Sequence, residues 1–287
     1  MKYLNPIYLS ILFIFLLSSC KSDDVITNES DNLNAQEAYQ TLDVSYGSDV
    51  NQKMDIYLPA NRNLDTKIMI LVHGGGWSSG DKSSMNPYKD LLLQNFSNLA
   101  VVNINYRLAN ETNSAYPMQL NDITSVINHL KDKRDYYAIS DEIGFTGVSA
   151  GGHLSLLWSY AFDSNNKINM VCSIVGPTNF TDPVYLDNPN FDTYMNQFNV
   201  NPTTSYLEEI SPYHNVESSS PPTILFYGGQ DPLIPTSQGV ALNDKLEALG
   251  VIHQFTLYDD EGHGWGGLNA FDTWAKMKIF IENHLAN

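Results

Sequence analysis

Two stretches of the chain carry the pattern Gly-x-Ser-x-Gly, at Gly76–Gly80 and at Gly147–Gly151. A serine on a sharp turn between a strand and a helix presents its hydroxyl for attack on an acyl carbon. Only Ser149 has that setting, with the apolar run Ile143–Thr146 before it and a helical pattern after it. Gly147 and Gly151 lack the Cβ atoms that would collide as strand and helix close on each other. Ser78 runs instead into the loop Ser79–Ser84 and is set aside. The first match belongs to a different device, His73-Gly74-Gly75-Gly76-Trp77, directly after a buried run. Its glycines let backbone N–H groups approach a small anion, and acyl transfer develops one in its transition state. The expected donors are the N–H groups of Gly75, Gly76 and Ala150. A phosphate cradle is not supported at this loop, because G-x-x-x-x-G-K-[ST] does not occur and G-x-G-x-x-G matches only at Gly262–Gly267, elsewhere in the chain.

A nucleophilic serine needs a base, and the base needs a carboxylate to orient it. Of the seven histidines, His129 and His284 lie within helical patterns, His73 in the glycine loop and His253 in a strand. His153 follows Ser149 on the same helix and reads as packing, while His214 lies where it could touch substrate. His263 follows a strand, flanked by Gly262 and Gly264, and is the expected base. Asp231 follows the run Thr223–Tyr227 and precedes His263 in the chain, as the acid of such a relay should. Asp259, Asp260 and Glu261 stand too near His263 in sequence to bridge back easily. No metal or cofactor is required by this chemistry.

The elements that must position these groups alternate between strand and helix. Strands are predicted at 41–46, 53–58, 67–73, 100–106, 142–146, 169–175, 223–227 and 252–258, and helices at 86–97, 118–135, 150–162, 237–249 and 270–285. Short apolar runs with helices between them fit strands buried on both faces of a mostly parallel sheet. The segment Gly176–Pro222 reads as the longest irregular stretch and as a short cap loop, with Tyr185, Phe191, Tyr194, Phe198, Tyr206 and Tyr213 on it. Its aromatics, with Trp77 and Trp265, are candidates to stack on a ring of the substrate.

Composition bounds the partners. Fifteen Lys+Arg against 32 Asp+Glu leave a formal net charge of −17, which argues against nucleic acid. Two cysteines exclude a disulfide scaffold and a four-cysteine zinc site. A mean hydropathy of −0.24 excludes a multi-span membrane protein. The start of the chain reads as an address: Lys2, an apolar run Ile7–Leu17 too short to span a bilayer comfortably, then Leu17-Ser18-Ser19-Cys20. Residues 1–19 are expected to be a signal peptide, 20–40 a flexible tether, and 41–287 one domain. Cys172 then remains as a buried thiol.

The last four of these residues resemble a bacterial lipobox, which implies a lipid on Cys20 and an outer-membrane lipoprotein, facing the periplasm or the cell surface. His73–Trp77, Asn105-Tyr106-Arg107-Leu108, Gly147–Gly152, Gly229-Gln230-Asp231-Pro232 and Gly262-His263-Gly264 resemble the α/β-hydrolase superfamily. More narrowly, they are similar to hormone-sensitive-lipase-like esterases and to bifunctional feruloyl and acetyl xylan esterases. The opening Val44–Gly47 and Met54–Pro59 resemble the same group, so the likeness covers nearly the whole domain. It implies an eight-stranded α/β-hydrolase fold, a Ser149–His263–Asp231 triad, and ester hydrolysis on plant polysaccharides. Val148 departs from the pattern, since such esterases often carry Glu or Asp before the serine. Three other readings share the motifs: an arylformamidase-like amide hydrolase, a peptidase, and a non-catalytic glycan-binding lipoprotein.

Overall fold

The apolar runs become the strands of one sheet. The computed structural model describes residues 33–198 and 202–286. Among them are strands β1 (Tyr39–Ser45), β2 (Lys53–Leu58), β3 (Lys67–Val72), β4 (Leu99–Ile104), β5 (Ile143–Val148), β6 (Ile168–Ile174), β7 (Thr223–Gly228) and β8 (His253–Tyr258). Their order across the sheet is β1-β2-β4-β3-β5-β6-β7-β8. β2 runs antiparallel to both its neighbours, and from β4 to β8 every pairing is parallel. The predicted strands are all present, displaced at their ends by at most two residues.

The helices are α1 (Asn86–Asn95), α2 (Ala115–Asp132), α3 (Arg134–Tyr137), α4 (Ala150–Ala161), α5 (Pro183–Leu186), α6 (Phe191–Met195), α7 (Thr204–Glu209), α8 (Pro212–Asn215), α9 (Thr236–Leu249) and α10 (Gly267–His284). Strand alternation sorts the core into two layers. Ile68, Ile70 and Val72 of β3 join Leu120 of α2, Leu157 of α4 and Leu242 of α9. Met69 and Leu71 join Leu92 of α1 and Met277, Phe280 and Ile281 of α10. Helices therefore cover both faces, as parallel strands require.

Two expectations are corrected. The segment 176–222 is not an irregular loop, since it holds α5 to α8 and a 3-10 turn at Asn196–Phe198. Each of its α-helices has at most six residues, too short to display a helical period in sequence. Local chemistry starts them: Asp182 accepts from Val184 N and Thr203 from Tyr206 N as N-caps. The domain also begins earlier than expected. β1 begins at Tyr39, and Arg62, 3% exposed, holds residues 33–38 against the domain. Its guanidinium donates to Glu37 O at 2.6 Å and to Tyr137 O at 2.7 Å, and its backbone N–H to Ala35 O. A polar segment that supplies carbonyls to a buried cation looks like a linker by composition alone.

Candidate active site

Four crossings of the sheet end at one place. β5 delivers Ser149, the loop after β7 delivers Asp231, the loop after β8 delivers His263, and the loop after β3 delivers the three glycines. Ser149 stands at φ 54° and ψ −121°, a strained backbone that projects its side chain out of the turn. A Cβ on Gly151 would lie 2.1 Å from Val72 O, so only glycine lets α4 approach β3. His263 Nε2 is 2.9 Å from Ser149 Oγ, and its Nδ1 is 2.7 Å from Asp231 Oδ2. The Asp231 carboxylate is fully buried, and its Oδ1 accepts from Leu233 N at 2.8 Å and Ile234 N at 3.1 Å. Held on both oxygens, it fixes the Nδ1–H tautomer of His263 and leaves Nε2 free to accept from the serine. The N-terminal end of α4 points its positive partial charge at the same spot.

The glycine loop is held from outside. Gly75 has φ +121°, and a Cβ there would meet Ser79 O at 2.0 Å. The N–H groups of Gly75, Gly76 and Ala150 are not spent on any acceptor among the described residues. Trp77 O accepts from Ala109 N and from Gln119 Nε2. The Tyr106 hydroxyl donates to His73 O, and its ring stacks on His73 at 4.2 Å. Arg107 clasps Asp122, itself fully buried, through Nε at 2.9 Å and Nη2 at 2.5 Å, and Gln52 donates to the same carboxylate. Asn105 accepts from Lys82 N and donates to Asp81, whose carboxyl pKa is lowered to about 2 by hydrogen bonds from Ser83 and from Asn105. Asn105–Leu108 thus serves the loop without touching the reacting groups. Asp122 is a residue the sequence reading missed; its place on the buried side of α2 is the signal that would have found it.

One imidazole ties three elements together. His153, 1% exposed, accepts from Trp77 Nε1 at 3.1 Å and donates from Nε2 to Ile210 O at 2.8 Å. The glycine loop, the nucleophile helix and the 176–222 segment meet there. Burial lowers its pKa to about 4. The unfolded chain takes up this proton near pH 6.5 and the folded protein does not. Its contribution is complete above pH 6.5 and is lost as pH falls toward 4, by up to about 1.4 kcal/mol per pH unit. Urea denaturation of His153→Gln between pH 7 and pH 4 should show a slope flatter by that amount. An unchanged slope would mean that His153 is not held neutral.

The cavity over Ser149 has a volume of about 510 Å³, with Gly75, Gly76, Tyr194, Pro177, Leu233 and His263 among its walls. Of the cap aromatics, Tyr185, Phe191 and Phe198 are buried, and Tyr194 faces this cavity over Gly76. Trp77 is not the open stacking platform expected of it. Although it contributes to the cavity wall, it is 2% exposed, packed edge-on by Phe198 at 5.2 Å and Tyr194 at 5.9 Å, and braces the loop. Trp265 is partly exposed and lines an adjoining cavity. His214 lies at 2.8 Å from Thr181 Oγ1 and does not line the cavity. Cys172 is buried, with a thiol that burial keeps protonated. Cys20 lies outside the described residues.

Fold and site together define an α/β-hydrolase: nucleophile, acid and base in that chain order on a mostly parallel sheet, with a glycine loop opposite. The chain belongs to the BD-FAE family, whose model matches residues 54–246. Esterase LipC of Mycobacterium tuberculosis (strain ATCC 25618 / H37Rv) is 24% identical over 225 residues, 72% of this chain and 55% of that protein. The chain spans about half the length of the curated relatives it matches. A solved truncated form of a carbohydrate esterase from gut microbiota is similar with a TM-score of 0.72 at 22% identity, covering 88% of this chain and 98% of that one. An acetyl ester-xyloside bifunctional hydrolase from Caldicellulosiruptor lactoaceticus has a TM-score of 0.69 at 18% identity, covering 85% and 96%.

Proposed function

We propose that this protein is a serine esterase that removes acetyl or feruloyl groups from plant polysaccharides. The observation that carries the reading is the continuous hydrogen-bonded relay from Asp231 through His263 to Ser149 beside unspent backbone donors. Ser149 Oγ attacks the ester carbonyl while His263 Nε2 takes its proton. The N–H groups of Gly75, Gly76 and Ala150 receive the oxyanion, and Asp231 stabilises the imidazolium. His263 then protonates the leaving alcohol, and water, deprotonated by the same imidazole, releases the acid. The substrate class is supported by the two carbohydrate-active neighbours and by an open cavity with Tyr194 on its wall. The motif ending at Cys20 supports a lipid anchor that would keep the enzyme at the outer membrane of a bacterium.

The test has two arms. The form beginning at Lys21 should release acid from 4-nitrophenyl acetate and from acetylated xylan or methyl ferulate. The full chain expressed in a lipoprotein-processing bacterium should carry that activity into the membrane fraction, and Cys20→Ser should release it. A folded protein inert toward all three esters would overturn the esterase reading. Membrane association that survives Cys20→Ser would overturn the anchor.

A further inference from the structure

At the other end of the sheet from Ser149, Asp231 and His263 lies a separate cavity of about 520 Å³. It opens between α2 and the end of α4, over Ile68 and Ile143 at the starts of β3 and β5. α2 turns Thr124, Ile127, Asn128 and Lys131 to it, spaced three and four apart as residues on one side of a helix are. Trp158 and Phe162 line it from the end of α4. No residue lines both this cavity and the one over Ser149. Its walls are fixed. Thr124 Oγ1 donates to Leu120 O at 2.9 Å and accepts from Trp158 Nε1 at 2.9 Å, which pins the two helices to each other. Asp163 accepts from the N–H groups of Lys167 and Ile168, which holds the loop after α4.

The lining is sorted by depth. Ile68, Leu130, Ile143 and Trp158 are buried, and Ile127 and Phe162 are half-buried. Asn128, Lys131, Ser164 and Asn165 are exposed and form the mouth. The two carboxylates of the lining are spent: Asp141 pairs with Lys167 at 2.8 Å, and Asp163 is taken by its two amides. The ammonium of Lys131 and the side chains of Asn128, Ser164 and Asn165 have no hydrogen-bond or ion-pair partner among the described residues. An apolar interior below a free cation and neutral donors is complementary to an apolar body with an anionic head. A sugar ring would need an open aromatic face, and Trp158 is only 6% exposed. A dry cavity of roughly 150 Å³ already holds a benzene ring, so this one has room for a body of about eight carbons.

We infer that the cavity between α2 and the end of α4 is a binding site for an amphipathic acid, an apolar body carrying one carboxylate or phosphate head. Lys131 takes the head, with Asn128, Ser164 and Asn165 donating around it, while Ile127, Trp158 and Phe162 hold the body. A free carboxylic acid and an anionic membrane lipid both present this chemistry. The site stands apart from the esterase reading, since none of its residues belongs to the relay or to the glycine loop.

Octanoate and 1-octanol share a chain and differ in the head. Both are titrated by calorimetry into the form beginning at Lys21 and into its variants. Octanoate is expected to bind about tenfold or more tightly than 1-octanol, the worth of hydrogen bonds to a charged group. Lys131→Met should erase that preference and leave 1-octanol binding unchanged. Ile127→Trp should weaken both ligands about tenfold, as the exclusion of one or two buried methylenes would. Asn128→Trp, made at an exposed position, takes its place should Ile127→Trp fail to fold. Turnover of 4-nitrophenyl acetate should be the same in every variant. A wild type that takes up neither ligand, or binds both equally, overturns the site, as does octanoate binding that no variant weakens. Turnover that falls in step with binding would put octanoate over Ser149 instead and overturn it too. The source of the head is read separately. Pelleting with phosphatidylglycerol vesicles that Lys131→Met abolishes would make it a membrane lipid's, and octanoate binding without pelleting would make it a free acid's.

Discussion

Ser149→Ala is expected to lower kcat by about 10⁶-fold, equivalent to about 8 kcal/mol of barrier. The figure is large because the relay works as a unit: without Oγ, His263 has no proton to take and Asp231 no imidazolium to stabilise. Binding should survive, since Ser149 Oγ is one atom on the wall of a cavity of about 510 Å³. Folding should survive as well. The side chain's hydrogen bond is to His263 at 2.9 Å, and alanine can occupy the same backbone region at similar cost. The measurement is turnover of 4-nitrophenyl acetate by wild type and variant, beside thermal melts that should coincide within a few degrees. Near-normal turnover by the variant would remove Ser149 from the chemistry. Ser78→Ala serves as the comparison and should stay active.

Asp231→Asn is expected to lower kcat by about 10⁴-fold while leaving KM little changed. The substitution keeps the shape and removes a charge. Oδ1 of Asp231 accepts from the N–H groups of Leu233 and Ile234, so an asparagine keeps its amide oxygen there. Its NH₂ then faces Nδ1 of His263, where the carboxylate accepted at 2.7 Å. A donor at that position forces the imidazole proton onto Nε2, and the ring can no longer accept from Ser149. The opposite amide orientation would set NH₂ against two backbone N–H groups. A loss below about tenfold would give the acid's role to another carboxylate, with Asp259 and Glu261 the first to test.

Much of this was legible because the chemistry depends on backbone constraints that leave marks in residue type. Ser149 can stand at φ 54° only with glycines around it, and the loop at Gly75 requires a residue without Cβ. The strands were legible because both faces are covered, so that β3 and β4 read as apolar runs broken only by Lys67 and Asn103. The cap was not, for its helices are too short to repeat. Nor could the orientation of Trp77 be read, since an indole beside a glycine loop has the same letters whether it meets solvent or His153.

The cap is gripped in large part by its main chain. His153 donates to the carbonyl of Ile210, and Gln238 accepts from the N–H groups of Thr178 and Asn179 while donating to Asn179 O. None of these bonds depends on which side chain stands at 178, 179 or 210. Substitutions on the face that the cap turns toward the cavity therefore leave these bonds in place, while the side chains of Thr178 and Asp182, which bond Gln238, are needed behind it. Changes to cap side chains facing the cavity, Tyr194 among them, are thus expected to alter substrate choice while the Ser149–His263–Asp231 relay stays in place.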